Sequence, residues 1–364
     1  MKRARRHRRT VRLALAAWLA CACLPAAAAA QDDAPPPRRE PIPSYVPLIE
    51  PVAPLLFLDA RTRQFLPAPV AELRAAGEAA VAASAMGAVD PGLLDELQRR
   101  HRVRSGLDLG RDFLHDVLHE TGARRVVVVD LLFDTGIVLA AGRLIDAADG
   151  RLLGAGAMEP EAWTEPDAWR DAVDRVVAAL LLDVARHRPE PGDDLLIALP
   201  VHVRGLERAD GVTATHTLLQ TLLDDGGFTL PDPGVVNHLL LESGHDPRLV
   251  DAAGQQALAA ALGPARLLSA DIISYDGAAG IGPAVDLDPG ASAAPRLALP
   301  SFTYTVRLTD LSEGVILDCV TLYQDDRPEE GWFGIVHSRS TRGVLHRTAQ
   351  RLAAELGIHT EANP

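Results

Sequence analysis

Two stretches, GARRVVVVDLL at 122–132 and GPARLLSADII at 263–273, decide the fold prediction because they share identical residues at several positions and the same apolar pattern. In each, a glycine precedes an arginine and an apolar run that contains one aspartate. A run of this length, rich in Val, Leu and Ile and bounded by a glycine, indicates a buried β-strand. The matched positions are Gly122, Arg125 and Asp130 in the first stretch and Gly263, Arg266 and Asp271 in the second.

A second pair of matching stretches follows these strands. RLIDAADG at 143–150 and RLTDLSEG at 307–314 share Arg, Leu, Asp and Gly at the same spacing. Each lies between two apolar runs, and its glycine suits the positive φ of a tight turn, so each predicts a β-hairpin. The order of the matches predicts a tandem repeat of one domain. Residues 277–299, rich in Gly, Ala and Pro, have no counterpart in the first copy and are predicted to be a flexible surface insert.

The predicted fold class is α/β (α+β), with two tandem domains that each contain a mixed β-sheet, a long β-hairpin and helices packed on the sheet. Dense proline predicts an extended linker before the first domain, and HRPEPGDD marks a break between the two. The predicted division is 1–30 signal peptide, 31–54 linker, 55–187 first domain, 188–194 linker, 195–358 second domain and 359–364 tail.

Apolar periodicity and turn residues predict the elements of each domain, with Asp90 as a helix N-cap and Gly122 as a helix end. In the first domain we expect strand 55–59, helices at 69–85, from 91 and at 107–120, strand 125–133, a hairpin over 136–158 and helix 167–186. In the second we expect strand 195–203, helix 211–225, short strand 228–230, helices 233–243 and 246–262, strand 266–274, a hairpin over 302–323 and helix 341–356.

Residues 1–30 have the three parts of a secretory signal peptide. Seven basic residues are followed by an apolar segment at 13–24, which is too short to span a bilayer, and by an A-x-A site that ends at Ala30. This pattern predicts export to the periplasm with cleavage near Ala30. The alternative is a lipoprotein that is acylated at Cys21 or Cys23 and anchored in the outer membrane.

The charge balance limits the classes of partner. Without the first thirty residues the formal net charge falls from −13 to −20. Because so acidic a chain repels phosphate backbones, no nucleic-acid partner is expected. The only lysine is Lys2, so the mature chain can use neither P-loop nor Schiff-base lysine chemistry. No later run reaches eighteen apolar residues, and no transmembrane helix is therefore expected after the signal peptide.

Cys319 is the one cysteine after the leader, so the mature chain cannot form an internal disulfide. It lies in the strand-like run VILDCVTLY at 315–323. A cysteine in such a run is predicted to be a small buried hydrophobic residue.

His115 and His119 form the nearest approach to a metal motif, HDVLHE at 115–120. Two histidines four residues apart share a helix face, as the zinc ligands of an HExxH enzyme do, and Asp116 would stand where that motif has its glutamate. The apolar residues of the same helix take the opposite face, so we expect a solvated helix surface, no metal and no cofactor. A zinc-dependent hydrolase is the alternative.

Trp332 and Phe333 stand between glycines in an acidic loop after the last predicted hairpin. Aromatic residues are enriched in binding hot spots, so these two are the candidate partner-binding residues. The alternative is that both rings pack over the edge of the sheet.

The second half resembles the periplasmic α/β domain shared by the curli secretion protein, the lipoprotein activator of penicillin-binding proteins and the amino-terminal domain of TolB. The first half is similar from 122 to 158 and in element order. The stretches that carry the resemblance are LLIALPVHVRG at 195–205, LLQTLLDDGGFTLPDPGVVNHLLLESG at 218–244, ARLLSADIISYDG at 265–277 and TYTVRLTDLSEGVILDCVTLY at 303–323.

This resemblance implies helices packed on a mixed sheet, no catalysis, and action by binding other envelope proteins or by assembling. The stretch 324–341 is too short and too charged for membrane-spanning hairpins, so no pore is expected. We therefore expect a secreted, non-enzymatic envelope protein that acts through protein–protein recognition in periplasmic or outer-membrane assembly or maintenance. The alternative within this class is an outer-membrane lipoprotein that activates a peptidoglycan synthase.

Overall fold

Two mixed β-sheets with helices packed against them make up the part of the chain that the structure, a computed structural model, describes. This architecture confirms the predicted fold class. Both sheets belong to one compact unit, Ile49–Pro364. The described residues are 51–58, 69–83, 87, 89–134, 137–158, 168–185, 194–204, 208–274, 302–324 and 351.

The first sheet has four strands in the order β1-β2-β3-β4. β1 pairs with β2 in parallel, and β2, β3 and β4 pair antiparallel in turn. Pro54 lies within β1, which is an edge strand and therefore tolerates a residue without a backbone N–H. The strands are β1 (Val52–Leu58), β2 (Arg125–Asp134), β3 (Ile137–Asp146) and β4 (Leu152–Met158).

The second sheet has the order β10-β9-β8-β5-β7, and β6 also pairs with β8. β5, β6 and β7 make parallel pairs, whereas β8, β9 and β10 pair antiparallel. The strands are β5 (Asp194–Ala198), β6 (His202–Arg204), β7 (Phe228–Thr229), β8 (Arg266–Ser274), β9 (Phe302–Asp310) and β10 (Val315–Gln324).

Seven helices lie among the described residues, and two of them begin with the same cap. The side chains of Asp90 and Asp232 accept hydrogen bonds from the N–H groups of Gly92 and Gly234, and a proline follows each aspartate. Proline suits this position because its fixed φ is helical and it lacks an N–H that would be unpaired. The helices are α1 (Val70–Ala83), α2 (Pro91–Arg100), α3 (Arg111–Thr121), α4 (Ala168–Ala185), α5 (Arg208–Asp225), α6 (Pro233–Glu242) and α7 (Ala252–Leu262).

The two sheets share one pairing register from β2 and β8 onward. Each hairpin also skips one residue at the same place, Leu153 in β4 and Leu317 in β10. The two hairpin turns end at Gly150 and Gly314, whose φ angles are 76° and 65°, as the repeated glycine predicted. The corresponding pairs are Asp130↔Ala141 with Asp271↔Thr305, Arg143↔Ala155 with Arg307↔Cys319, and Ile145↔Leu152 with Thr309↔Ile316.

Helix α5 contributes to the cores of both sheets. Leu218 and Leu222 pack with apolar residues of β8 and β9. Ala209, with Val212 partly buried beside it, packs with Leu139 and other residues of β3 and β4 in the first sheet. Elsewhere α1 and α4 cover one face of the first sheet, and α2 and α3 cover part of the other. α6 and α7 cover only the part of the second sheet's outer face around β5 and the start of β8. Since burying a leucine side chain contributes roughly 1.5–3 kcal/mol, the packing of α5 on both sheets helps to hold the two halves together.

Several element boundaries differ from the prediction for identifiable reasons. The predicted strand 195–203 is divided into β5 and β6, because Pro200 interrupts the ladder. The predicted helix 107–120 begins only at Arg111, after the extended backbone of Gly110. The predicted helix 246–262 begins at Ala252, after the cap formed by Asp251.

β1 begins three residues before the predicted start of the first domain, at Val52, within the stretch predicted to be linker. It does so because Val52 and Ala53 are completely buried against the first sheet's helices. The insert 277–299 and, apart from residue 351, the predicted helix 341–356 lie outside the described residues.

The prediction that Cys319 is buried is wrong, because its side chain is exposed. β10 forms the edge of the second sheet, and Cys319 lies on the side of this strand opposite to the one that packs on the core. Strand-like residues alone do not tell which face of an edge strand is covered.

Candidate functional site

A buried ion pair connects the hairpin of the first sheet to a helix of the second half. Arg143 on β3 is 2% exposed, and its Nη1 donates to both carboxylate oxygens of Asp232 at 2.8 and 2.7 Å. Its Nη2 donates to the carbonyl oxygen of Gly106 at 2.6 Å and lies 3.5 Å from Oδ2 of Asp130. Because Asp232 also caps α6, the ion pair fixes that helix relative to β3.

Backbone hydrogen bonds continue this junction along the hairpin. The N–H of Leu152 donates to the carbonyl of Leu230 at 2.7 Å, and the N–H of Asp232 donates to the carbonyl of Gly150 at 2.9 Å. The same contact buries Leu152, which is 3% exposed, in the core that α5 shares with the second sheet. The second half of the chain therefore covers Gly150 and the start of β4, whereas Ala148 and Asp149 in the turn itself are exposed.

Two glycines allow the backbones to approach at this junction. A Cβ on Gly234 would lie 2.5 Å from the carbonyl oxygen of Gly106. A Cβ on Gly106 would lie 2.5 Å from Oδ2 of Asp130 and 2.6 Å from Nη2 of Arg143. Since real Cβ atoms do not come this close to other atoms, either side chain would force the ion pair apart.

Burial changes the proton affinity of the groups around Arg143. It raises the pKa of Asp232 above its ordinary value, against the opposing effects of Arg143 and of the Gly234 N–H. It also raises the pKa of Asp130, again opposed by Arg143. For His216 on α5, burial and the nearby Arg143 lower the pKa to about 4. This histidine is neutral at neutral pH, and the carbonyl of Val212 lies 2.8 Å from its Nδ1.

The corresponding positions of the second sheet lie on a surface that is not covered by a helix among the described residues. Arg307 is exposed and has no carboxylate partner in the described part of the chain. Among the described residues, the carboxylate of Asp271 contacts His202, at 3.3 Å, and the hydroxyl oxygens of Thr305 and Thr321 lie 3.1 Å apart. We call this surface the open face; its residues are Asp271, Thr305, Arg307, Cys319 and Thr321.

The start of β10, directly after the second hairpin turn, is also uncovered. Val315, Ile316 and Leu317 are 51%, 54% and 50% exposed, and we call these three residues the apolar tip. By register, Ile316 corresponds to Leu152, which the second half of the chain buries. The apolar tip therefore lies at the position where, in the first sheet, the start of β4 contacts the second half of the chain.

The structure places His115 and His119 side by side on the exposed face of α3. Their ring centroids are 4.1 Å apart in an edge-to-face arrangement. No third histidine, cysteine or carboxylate joins them, since the described residues contain no group of three or more such side chains that could hold a metal ion. The neighbouring Asp116 instead contacts His101 at 2.8 Å, and this contact lowers the pKa of Asp116.

The other predicted site residues, Trp332, Phe333, Cys21 and Cys23, lie outside the described residues. Within the described ranges, no helix has the length and apolar character needed to cross a membrane.

The junction around Arg143 was not predicted, although two of its signals can be read in the sequence. Arg143 and Arg307 belong to the repeated hairpin motif, and the letters DPG occur at both 90–92 and 232–234. Nothing in these letters distinguishes the buried arginine from the exposed one, because the difference lies in what packs against each hairpin.

No protein-family model matches this chain, and no curated protein matches it. Eleven solved chains are similar to it in structure. They include a PelC dodecamer from Paraburkholderia phytofirmans, at 15% identity over 47% of this chain and 93% of that chain, with a TM-score of 0.28. They also include the LpoB C-terminal domain from Salmonella enterica, at 13% identity over 38% of this chain and 88% of that chain, with a TM-score of 0.26.

A third similar structure is the lipoprotein GNA1162 from Neisseria meningitidis, at 15% identity over 38% of this chain and 98% of that chain, with a TM-score of 0.25. Likenesses of this strength carry no argument about function.

Proposed function

We propose that this protein is a secreted, non-enzymatic component of the cell envelope that acts by protein–protein recognition. Its recognition surface would be the open face together with the apolar tip. The observation that carries the proposal is the exposure of Ile316, at 54%, where the equivalent Leu152 is 3% exposed. Neighbouring exposed aliphatic residues bordered by polar ones are typical of protein-binding surfaces.

We also propose that the chain consists of two copies of one α/β domain of the kind found in the curli secretion protein and the amino-terminal domain of TolB. The shared strand register, the residue skipped in each hairpin and the two aspartate caps support a duplication. In a duplicated protein one copy can be covered by the other while the last copy keeps the same surface free.

The chemistry of the surface supports recognition over catalysis. The open face offers an arginine, two threonines, an aspartate and a thiol. The shifted groups Asp232 and His216 are buried, and Asp232 is bonded to Arg143 at the junction. The leader-like residues 1–30 support a location in the periplasm, with cleavage near Ala30 or acylation at Cys21 or Cys23.

Site-specific photo-crosslinking in intact cells tests the recognition surface. A photoreactive amino acid at Thr321, on the open face, should give adducts with proteins of the envelope. The same probe at Arg248, which is exposed in the segment between α6 and α7, is the matched control and should give few. The absence of adducts from Thr321, or equal adducts from both positions, would contradict the proposed surface.

Two further measurements test the compartment and the absence of catalysis. Mass spectrometry of the mature amino terminus should find Gln31, whereas a diacylated cysteine would indicate the outer-membrane lipoprotein. Metal analysis of the purified protein should find no stoichiometric zinc. A tight one-to-one zinc that is lost in a His115→Ala variant would contradict the non-enzymatic proposal and favour the zinc hydrolase.

A further inference from the structure

We propose that the open face and the apolar tip bind a second copy of the same protein, head to tail, through the contacts that join the two halves of one chain. This inference rests on the proposed function, because it names the partner for the same surface. The Arg307 side of one copy would contact the Asp90 side of the next.

The first half of the chain carries an unused copy of the group that Arg143 binds. Asp90 caps α2 through the N–H of Gly92, as Asp232 caps α6 through the N–H of Gly234. Asp232 is fully buried against Arg143, whereas Asp90 is exposed and pairs with no arginine among the described residues. Asp90 is therefore a capping carboxylate that lacks, among the described residues, the arginine that Asp232 has.

The second half carries the complementary group. Arg307 occupies the position of Arg143 in the strand register, and it is exposed without a carboxylate partner in the described ranges. Asp90 and Arg307 have opposite charges, and each stands in the structural position whose equivalents form the buried ion pair. Association between two copies would bring them together in the geometry that the chain already uses once.

The hairpin turn supports the same arrangement. Gly150 and Leu152 bond to the backbone of Leu230 and Asp232 within one chain. Gly314 and Ile316 are the equivalent positions of the second hairpin, and Val89 and Asp90 precede α2 as Pro231 and Asp232 precede α6. The apolar tip would thus be covered by the segment before α2 of the next copy.

The helix that packs on the sheet would be α5 inside one chain and α1 of the next copy between chains, and the two contacts differ in polarity. Within the chain, α5 meets Ala141 and Ala157 of the first sheet, and these correspond to Thr305 and Thr321 on the open face. At the positions of His216 and Gln220 on α5, helix α1 carries the half-buried residues Arg74 and Glu78. Polar side chains on both surfaces predict a weaker and more salt-sensitive contact than the one inside the chain.

A head-to-tail contact leaves each copy with one free partner surface, so association continues beyond a dimer. If the rotation between copies closes, the product is a ring; if it does not, the product is a filament. Either product contains more than two copies, which distinguishes this arrangement from a symmetric dimer.

A charge-swap experiment tests the contact in the full-length secreted protein by sedimentation velocity between roughly 1 μM and 1 mM, the range of weak, reversible association. The wild type should form species larger than a dimer. Arg307→Glu and Asp90→Arg should each weaken association by about tenfold or more, because each places like charges together. Arg248→Glu is the matched control for an exposed arginine elsewhere and should associate like the wild type.

The decisive measurement is an equimolar mixture of the two variants. In the mixture, the native Arg307 of the Asp90→Arg chain can meet the native Asp90 of the Arg307→Glu chain. The two introduced side chains, a glutamate and an arginine, also meet with opposite charges, so association should return to within about threefold of the wild type. Circular dichroism checks the fold of each variant. Asp90→Asn, which removes the charge but keeps a good N-cap, should weaken association without loss of helix.

Two results would overturn the inference. One is a mixture that associates no better than the separate variants. The other is a wild type that stays monomeric to the highest concentration. If the Thr321 probe then still captures other envelope proteins, recognition stands and only the self-partner is wrong; if it captures none, the proposed function fails as well.

Discussion

Arg143 and Arg307 occupy the same place in two sheets with the same strand register, but their surroundings are opposite. Arg143 is buried and bonded to Asp232, whereas Arg307 is exposed on the open face. The difference arises from the neighbour, since α5 and α6 cover the first hairpin and no described element covers the second. One hairpin thus serves as an internal joint and the other as a free surface.

Replacement of Arg143 should have the largest effect on stability. Arg143→Met leaves the carboxylate of Asp232 buried without a counter-charge, and we expect a loss of about 3–5 kcal/mol in the free energy of unfolding. Urea denaturation followed by circular dichroism measures it. Arg307→Met is the matched control, and as a surface substitution it should change stability by less than about 0.5 kcal/mol.

A double variant separates the charge from the packing at the same site. Asp232→Asn keeps the cap of α6 and removes the negative charge, so Arg143→Met together with Asp232→Asn should recover much of the loss. Equal losses for Arg143→Met and Arg307→Met would show that the two arginines are not in different environments.

The sequence predicted the features that are local. The apolar runs indicated the strands, Asp90 was recognised as an N-cap, and the glycines at the ends of the two hairpin turns have the expected positive φ. It did not predict the burial of Arg143, because RLIDAADG and RLTDLSEG contain the same signal. It also missed the exposure of Cys319, since an edge strand and a central strand can have the same local pattern.

The position of α5 was another feature that local patterns could not reveal. Helix α5 packs on both sheets, and its buried positions include the polar residues Thr213, Thr215 and His216. Because polar residues lie on its buried side as well as on its partly exposed side, the usual apolar pattern does not show how this helix is oriented. The burial of His216 follows from that position. From the sequence, this residue was indistinguishable from the other scattered histidines.

His216 should make the joint sensitive to acid. Its pKa is lowered from 6.5 to about 4 in the folded state, so between these values the unfolded chain binds the proton and the folded chain does not. This group therefore costs no stability above pH 6.5, and the free energy of unfolding falls as the pH drops from 6.5 to about 4, by about 3 kcal/mol in total.

Urea titrations at several pH values measure this dependence. His216→Leu should flatten the stability profile between pH 6.5 and 4 relative to the wild type. A His216→Leu protein with the wild-type slope would assign the acid sensitivity to other groups.

The two capping motifs have the same sequence, DPG, at 90–92 and 232–234, so they show how the room around the glycine differs between the two helix starts. A Cβ on Gly234 would lie 2.5 Å from the Gly106 carbonyl oxygen, whereas on Gly92 its nearest neighbour would be Oδ1 of Asp90 at 3.4 Å. Gly234→Ala should therefore cost about 1–3 kcal/mol of unfolding free energy. Gly92→Ala should be neutral or slightly stabilising, because alanine favours the helix. Thermal denaturation of the two variants measures whether a methyl group destabilises the protein at Gly234 and not at Gly92.

The smallest expected difference lies between the two hairpin turns. Gly150 and Gly314 both have positive φ, so an alanine at either position costs about 1 kcal/mol from backbone strain. A Cβ on Gly150 would also lie 3.1 Å from Cγ2 of Val235, whereas a Cβ on Gly314 would meet nothing within 4 Å. Gly150→Ala should therefore be the more destabilising by a few tenths of a kcal/mol in dilute solution, as urea denaturation of the two variants measures. If a second copy covers the apolar tip, the difference should narrow as the protein concentration rises, because Gly314 would then face the segment before α2 of its neighbour.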